Sequence, residues 1–244
     1  MEKENLINHG LKICVSLTAT DKDSLLAQAK LIADSTANIA EWRIDYYDDR
    51  DDFEKVIEVL PALKEELGEK QLLFTFRTLE EGGEAEISLP RYKELCLTIA
   101  QSKQIDLIDI ELARVEFLGR QFIQEIKKEG VKVILSNHDF EKTPDDATLI
   151  FRIGVMHQFG ADIGKIAAMP QTLQDVLRIM GLVTKARGFY QLPLAIISMG
   201  NLGKISRISA GVTGSVLTFG AIGEVSAPGQ IPVTELTQMI ENLA

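Results

Sequence analysis

The sequence predicts an α/β fold of the (β/α)8 barrel type (TIM barrel), with residues 1–244 as a single domain. Three observations predict it. Eight short, β-rich apolar runs recur along the chain, segments of helical character lie between them, and the turn after the first run, SLTATDKDS, contains neither GxGxxG nor GxxxxGK[ST]. Alternating strands and helices imply right-handed βαβ units and a parallel sheet covered by helices. A doubly wound sheet usually places a glycine-rich nucleotide turn after its first strand, so its absence favours the closed barrel.

In chain order the strand-like runs are ICVSL (13–17), IAEWRID (39–45), LLFTFR (72–77), IDLIDIEL (105–112), VKVILS (131–136), ADIGKIA (161–167), LPLAIIS (192–198) and SVLTFG (215–220). Several are almost continuously apolar, as expected of strands buried on both faces. Helices are expected within 23–35, 52–67, 89–102, 116–130 and 170–183. Asp23 and Asp145 are candidate N-caps, because a short carboxylate accepts from first-turn N–H groups that have no partner in the helix. Pro170 suits a first turn, where its missing N–H is not needed. Gly130 ends the fourth helix, and Pro61 should kink or divide the second. Residues 1–11 read as an extra strand or a loose end. The glycine-rich stretch 211–223 matches no nucleotide motif and reads as turns and close packing.

A chain of 244 residues with 45% hydrophobic and 25% charged residues has the make-up of a globular protein with a sizeable core. Its formal charge of −10 opposes a nucleic-acid surface, which needs clustered Lys and Arg. No run is long and apolar enough to cross a bilayer, and MEKENLINHG lacks the apolar core of a signal peptide, so a cytoplasmic location is expected. Cys14 and Cys96 belong to no CxxC pair and read as reduced core residues. His9, His138 and His157 follow no ligand spacing, so a structural metal is not expected.

Barrel enzymes do their chemistry at the carboxyl ends of the strands, and the polar residues of this chain collect there. Lys165 stands in the sixth run among small and apolar residues. A buried ammonium either pairs with an acid or loses its proton, and a neutral amine forms Schiff bases with carbonyl substrates. The apolar neighbours suggest an amine kept partly neutral; the competing reading is a lysine whose stem packs while its head reaches solvent. His138 ends the fifth run, beside the strand of Lys165, and an imidazole is suited to moving protons near neutral pH. Arg43, Arg77 and Arg207 offer planar forks that match carboxylates, which suggests a small anionic substrate. Arg43 is equally open to an internal pair with Glu41, Asp45, Asp109 or Glu111, and both readings are compatible.

In EWRID (41–45), TFR and EGG (75–77 and 81–83), DIEL (109–112), SNHDF (136–140), ADIGKIA (161–167), SMG (198–200), SR (206–207) and SAPGQ (226–230), the chain resembles the type I 3-dehydroquinate dehydratases of the shikimate pathway. The resemblance implies that Lys165 forms a Schiff base with the substrate ketone, that His138 transfers protons, and that Glu81 orients and tunes His138. It implies that Arg43, Arg77 and Arg207 hold the substrate's carboxylate and hydroxyls, with Ser16, Glu41, Ser226 and Gln230 completing the hydrogen bonds. Asn137 is expected to vary. The resemblance further implies dehydration of 3-dehydroquinate to 3-dehydroshikimate without metal or organic cofactor, and a homodimer. The loop at 223–232, rich in small residues, is a candidate closing lid. From residue chemistry alone, a class I aldolase-like enzyme and a catalytically inert binding barrel remain open.

Overall fold

Each of the eight predicted runs overlaps one strand: β1 (Lys12–Leu17), β2 (Ile39–Arg43), β3 (Gln71–Thr75), β4 (Leu107–Glu111), β5 (Lys132–Asp139), β6 (Ile163–Ala168), β7 (Leu194–Ser198) and β8 (Leu217–Gly220). The computed structural model describes residues 10–223 and 226–243. The expectation for the N-terminal segment therefore lies outside the described residues at positions 1–9. The strands form one parallel sheet in the order β7-β6-β5-β4-β3-β2-β1-β8. Between β7 and β8 the ladder is replaced by Val216 N–H donating to Leu194 C=O at 2.8 Å and Ile196 N–H donating to Ser215 Oγ at 3.1 Å. These bonds bring the sheet nearly to closure, and the fold is a (β/α)8 barrel.

Alternation along each strand sorts side chains between two cores. Ile13, Val15 and Leu17, with Trp42, Phe74, Ile108 and Leu135, pack outward against the helices. Cys14, Ile39, Leu73, Leu107, Ile134, Ala195 and Leu217 pack in a second cluster inside the barrel. Inside, polarity rises along the strands. Two residues beyond these apolar positions, β1 to β4 turn Ser16, Glu41, Thr75 and Asp109 into the same interior, and β5 adds Ser136. An apolar floor thus supports a polar mouth at the carboxyl ends.

Helices cover the outside: α1 (Lys22–Ala33), α2 (Phe53–Leu67), α3 (Leu89–Gln101), α4 (Leu112–Lys128), α5 (Asp146–Phe159), α6 (Leu173–Arg187), α7 (Lys204–Ile208), α8 (Ala210–Thr213) and α9 (Val233–Asn242). Asp145 caps α5 as expected, accepting from Thr148 N–H at 2.9 Å. The cap of α1 is Asp21 rather than Asp23: Asp21 is extended at φ −132°, ψ 167° and accepts from Ser24 N–H, whereas Asp23 is already helical. Pro170 lies before α6, whose start is set by a reciprocal capping box between Thr172 and Asp175. Pro61 does not divide α2, which runs from Phe53 to Leu67 and buries Val56, Val59, Leu60, Leu63 and Leu67. Packing of that face outweighs the lost backbone hydrogen bond, a local penalty of about 3 kcal/mol. Helix α4 begins four residues earlier than expected and is interrupted at Gly119 (φ 80°, ψ 169°). Gly130, at φ 87°, follows its C-cap in the left-handed conformation that glycine adopts without strain.

Candidate active site

Lys165 sits on β6, 5% exposed, with its stem inside the barrel. Its apolar sequence neighbours are not its surroundings. Ile166 belongs to the outer core, while Nζ donates to Asp109 Oδ2 at 3.1 Å, stands 3.9 Å from Glu41 Oε1 and lies 4.5 Å from the centre of the Phe219 ring. The amine therefore faces carboxylates, and the expectation of an apolar pocket around it is corrected. The cause is the two-residue period of a strand: the hydrocarbon on either side of Lys165 in sequence points away from it.

Asp109 on β4 joins the lysine to Arg77. Its Oδ1 accepts from Arg77 Nη2 at 2.8 Å and from Ser136 Oγ at 2.5 Å. Burial pushes this carboxyl upward, but the charges of Arg77 and Lys165, with these hydrogen bonds, outweigh burial and hold it at about 2. Arg77, two residues beyond β3, also donates through Nη1 to Glu111 at 3.1 Å, Ser136 at 3.0 Å and Glu81 at 3.4 Å. Burial opposes its cation, yet Asp109, Glu111 and Glu81 raise its pKa well above the ordinary arginine value.

Glu81 lies in the 3-10 turn Leu79–Glu81, reached by the loop after β3. Its Oε2 is 2.8 Å from His138 Nδ1 and accepts the His138 backbone N–H at 3.0 Å. Asn137, the residue expected to vary, donates to Glu81 Oε1 at 3.4 Å and accepts from Arg152 at 2.7 Å. Burial raises the Glu81 carboxyl to about 8; Arg77 opposes this, while Glu111 and Asp109 add to it. Burial, followed by the charges of Arg77, Lys165 and Arg43, pushes His138 well below its ordinary value. Burial thus opposes charge on both members of the pair, raising the carboxyl and lowering the imidazole. The strand register places Ser136 opposite Lys165 and His138 opposite Ala167. The histidine is therefore one pleat nearer the mouth than the lysine.

The three arginines differ. Arg43 makes a two-point contact with Asp45, Nε to Oδ1 at 2.8 Å and Nη2 to Oδ2 at 2.7 Å. Its internal-pair reading therefore holds, with Asp45 as the partner. Arg77 is engaged by acids as described. Arg207, on α7 and 2% exposed, donates to the carbonyls of Phe219 at 3.4 Å and Pro228 at 3.1 Å and meets no carboxylate among the described residues. Burial lowers its pKa to about 10. A buried cation whose partners among the described residues are carbonyl oxygens retains the capacity to pair with an anion.

A chain of hydrogen bonds runs from the loop after β8 to Glu41. Gln230 Nε2 donates to Ser226 Oγ at 3.0 Å, Ser226 Oγ to Ser16 Oγ at 2.9 Å, and Ser16 Oγ to Glu41 Oε2 at 2.6 Å. Positions 224 and 225 of the lid expected at 223–232 lie outside the described residues.

All ten residues singled out from the sequence, Ser16, Glu41, Arg43, Arg77, Glu81, His138, Lys165, Arg207, Ser226 and Gln230, line one cavity. Gly82, Phe140, Ala167, Ile197, Met199, Phe219 and Ala227 complete it. Phe219 was missed because an aromatic on a barrel strand reads as core. Asp109 and Asp45 were noted only as possible partners of Arg43; their contacts to Lys165 and to the Glu81 loop carry no sequence signal, since those partners are remote in the chain. Among the described residues no cluster of His, Cys, Asp and Glu forms a metal site.

A parallel (β/α)8 barrel whose mouth gathers a lysine, a histidine–glutamate pair and a buried arginine around one cavity defines the class: a barrel enzyme. The chain belongs to the type I 3-dehydroquinase family, whose family model matches residues 13–244. It is 40% identical over 233 residues to the 3-dehydroquinate dehydratase of Klebsiella pneumoniae (strain 342), covering 95% of this chain and 93% of that protein. Over 237 residues it is 40% identical to the 3-dehydroquinate dehydratase of Clostridioides difficile (strain 630), covering 95% and 91%. Among solved structures, the type I 3-dehydroquinate dehydratase of Clostridium difficile with covalently modified comenic acid superposes with a TM-score of 0.92 at 38% identity, covering 96% of this chain and 92% of that one. The 3-dehydroquinate dehydratase of Geobacillus kaustophilus HTA426 superposes with a TM-score of 0.92 at 32% identity, covering 96% and 91%.

Proposed function

We propose that the protein dehydrates 3-dehydroquinate to 3-dehydroshikimate, the third step of the shikimate pathway, through a Schiff base on Lys165. The observation that carries the reading is the convergence of Lys165, His138 and Arg207, which meets no carboxylate among the described residues, on one cavity: an amine for a ketone, a base for a proton and a cation for a carboxylate.

The Lys165 amine adds to the ketone carbon, and loss of water leaves an iminium. Asp109 and Glu41, which face the amine in the free protein, then face this cation and stabilise it. Neutral His138 removes a proton from the carbon next to the iminium, and the C–H electrons flow onto nitrogen to form an enamine. The enamine expels the β-hydroxyl, which leaves as water with the proton from His138. Water then hydrolyses the conjugated iminium, freeing Lys165 and the product. The net change is loss of one water, with no redox step.

Arg207 binds the carboxylate in this reading, while Arg43 and Arg77 present N–H groups from forks already held by acids. Ser16, Ser226, Gln230 and Glu41 contact the hydroxyls. We further place the protein in the cytoplasm as a homodimer; the buried free thiols of Cys14 and Cys96 fit a reducing compartment. No helix among the described residues is long and apolar enough to cross a membrane.

Turnover is tested by incubating the protein with 3-dehydroquinate and following enone absorbance; a flat trace from folded protein would sink the assignment. Arg207→Ala is expected to raise KM by about 10- to 100-fold, the loss of a charge-assisted contact, with a smaller change in kcat. An unchanged KM moves the carboxylate contact elsewhere. The pH dependence follows from His138. Because its pKa lies well below 6.5, the imidazole stays a base as pH falls through 6.5, and the acid limb of kcat/KM should appear only below that value. A limb at or above pH 6.5 that disappears in His138→Ala would contradict the neutral resting imidazole.

A further inference from the structure

The segment Arg77–Glu84 leaves the top of β3, carries Glu81, and returns to its starting point. Gly83 N–H donates to Thr78 C=O at 2.8 Å. A Cβ on Gly83 would stand 1.9 Å from the Arg77 carbonyl oxygen, so the loop closes in a way that only glycine permits. At the neck of this loop lies the carboxylate of Asp45, 1% exposed, in the 3-10 turn Ile44–Tyr46 that follows β2. Its Oδ1 accepts Arg77 N–H at 3.2 Å and its Oδ2 accepts Glu84 N–H at 3.2 Å. One carboxylate therefore grips both ends of the loop that presents Glu81 to His138.

The same two oxygens accept Nε and Nη2 of Arg43 at 2.8 and 2.7 Å. A two-point contact fixes the plane of a guanidinium as well as its position, and the Tyr46 ring, 5.0 Å from Arg43 Cζ, backs it. Arg43 and Glu81 both line the cavity, whereas Asp45 does not. All four donors on Asp45 lead to the cavity wall, two through the arginine and two through the loop.

We propose that Asp45 is a positioning residue that couples the Arg43 fork to the Glu81–His138 pair, setting substrate binding and proton transfer from one buried group. The inference rests on the functional reading above for the roles of Arg43, Glu81 and His138. Asp109 and Glu111 hold Arg77 and Thr78 from β4, but neither reaches Glu84 or Arg43.

The test is steady-state kinetics with 3-dehydroquinate on D45N, alone and in R43K and E81Q backgrounds, together with borohydride trapping and peptide mapping. D45N replaces an acceptor with an amide that faces donors. Alone it should lower kcat by about 100-fold, the size expected when a reacting group is misplaced by about an ångström. KM should rise by about tenfold, equivalent to one lost contact. The adduct on Lys165 should still form, because Asp109 and Glu41, not Asp45, face that amine. In the R43K background the KM effect of D45N should vanish while the kcat effect persists; in E81Q the reverse should hold.

A purely structural role would lower the active fraction, and so kcat at unchanged KM in every background, and that result overturns the proposal. Wild-type constants in D45N overturn it as well. D45E keeps the counter-charge of Arg43 and is the variant to use if D45N does not fold; it should show the same split, and wild-type constants in folded D45E would again overturn the proposal. If the unmodified protein neither turns over 3-dehydroquinate nor yields an adduct, the functional reading fails and takes the Asp45 coupling with it, an outcome distinct from a D45N variant that behaves like an active parent.

Discussion

Lys165→Ala is expected to abolish borohydride-trapped adduct and to lower turnover by on the order of 10⁵-fold or more, the scale seen when an enzyme with a covalent intermediate loses its nucleophile. Among the described residues Lys165 is the amine that lines the cavity, so no neighbouring lysine stands ready to replace it. The substitution also leaves Asp109 and Glu41 without the cation they face, while Arg77 still neutralises Asp109. The barrel should therefore fold, with some loss of stability. Incubation with 3-dehydroquinate, reduction and peptide mapping read the adduct directly. An adduct on any other residue, or turnover near that of the parent, would remove the Schiff-base mechanism.

His138→Ala should separate binding from proton transfer. Turnover is expected to fall by about 10²- to 10⁴-fold, the usual contribution of a positioned acid–base group. The adduct on Lys165 should still accumulate, because the amine and its facing carboxylates are untouched. The variant removes the ring held by Glu81 but keeps the backbone N–H that donates to the same oxygen, so the Glu81 loop retains an anchor. Single-turnover measurements should show iminium formation with slow release of product. Turnover near wild type would contradict the assignment of His138, and loss of the adduct would place it earlier in the reaction.

Much of this site was legible along the chain, because each strand delivers its polar residues at its carboxyl end. The residues from Ser16 to Gln230 that the sequence marked line one cavity, and the eight apolar runs each became a strand. What misled was local context. The apolar neighbours of Lys165 suggested an apolar environment, yet strand alternation turns them outward and turns the amine toward Asp109. The helix starts at Asp23 and Pro170 were misplaced because a cap is defined by backbone conformation and a partner three residues on, which Asp21 and Thr172 supply. Pro61 was expected to kink or divide a helix, and the packed face of α2 kept that helix continuous.

By itself the sequence determined the barrel and the end of it where the chemistry gathers, because these follow from short-range periodicity and strand order, while the family resemblance marked the loop and helix side chains Glu81, Arg207, Ser226 and Gln230. Only the tertiary structure decided how the charges pair: Arg43 with Asp45, Arg77 with Asp109, Glu111 and Glu81, and Arg207 with no carboxylate among the described residues. Those pairings join groups on different strands and loops, and their strength depends on distance and burial, which the order of residues does not contain.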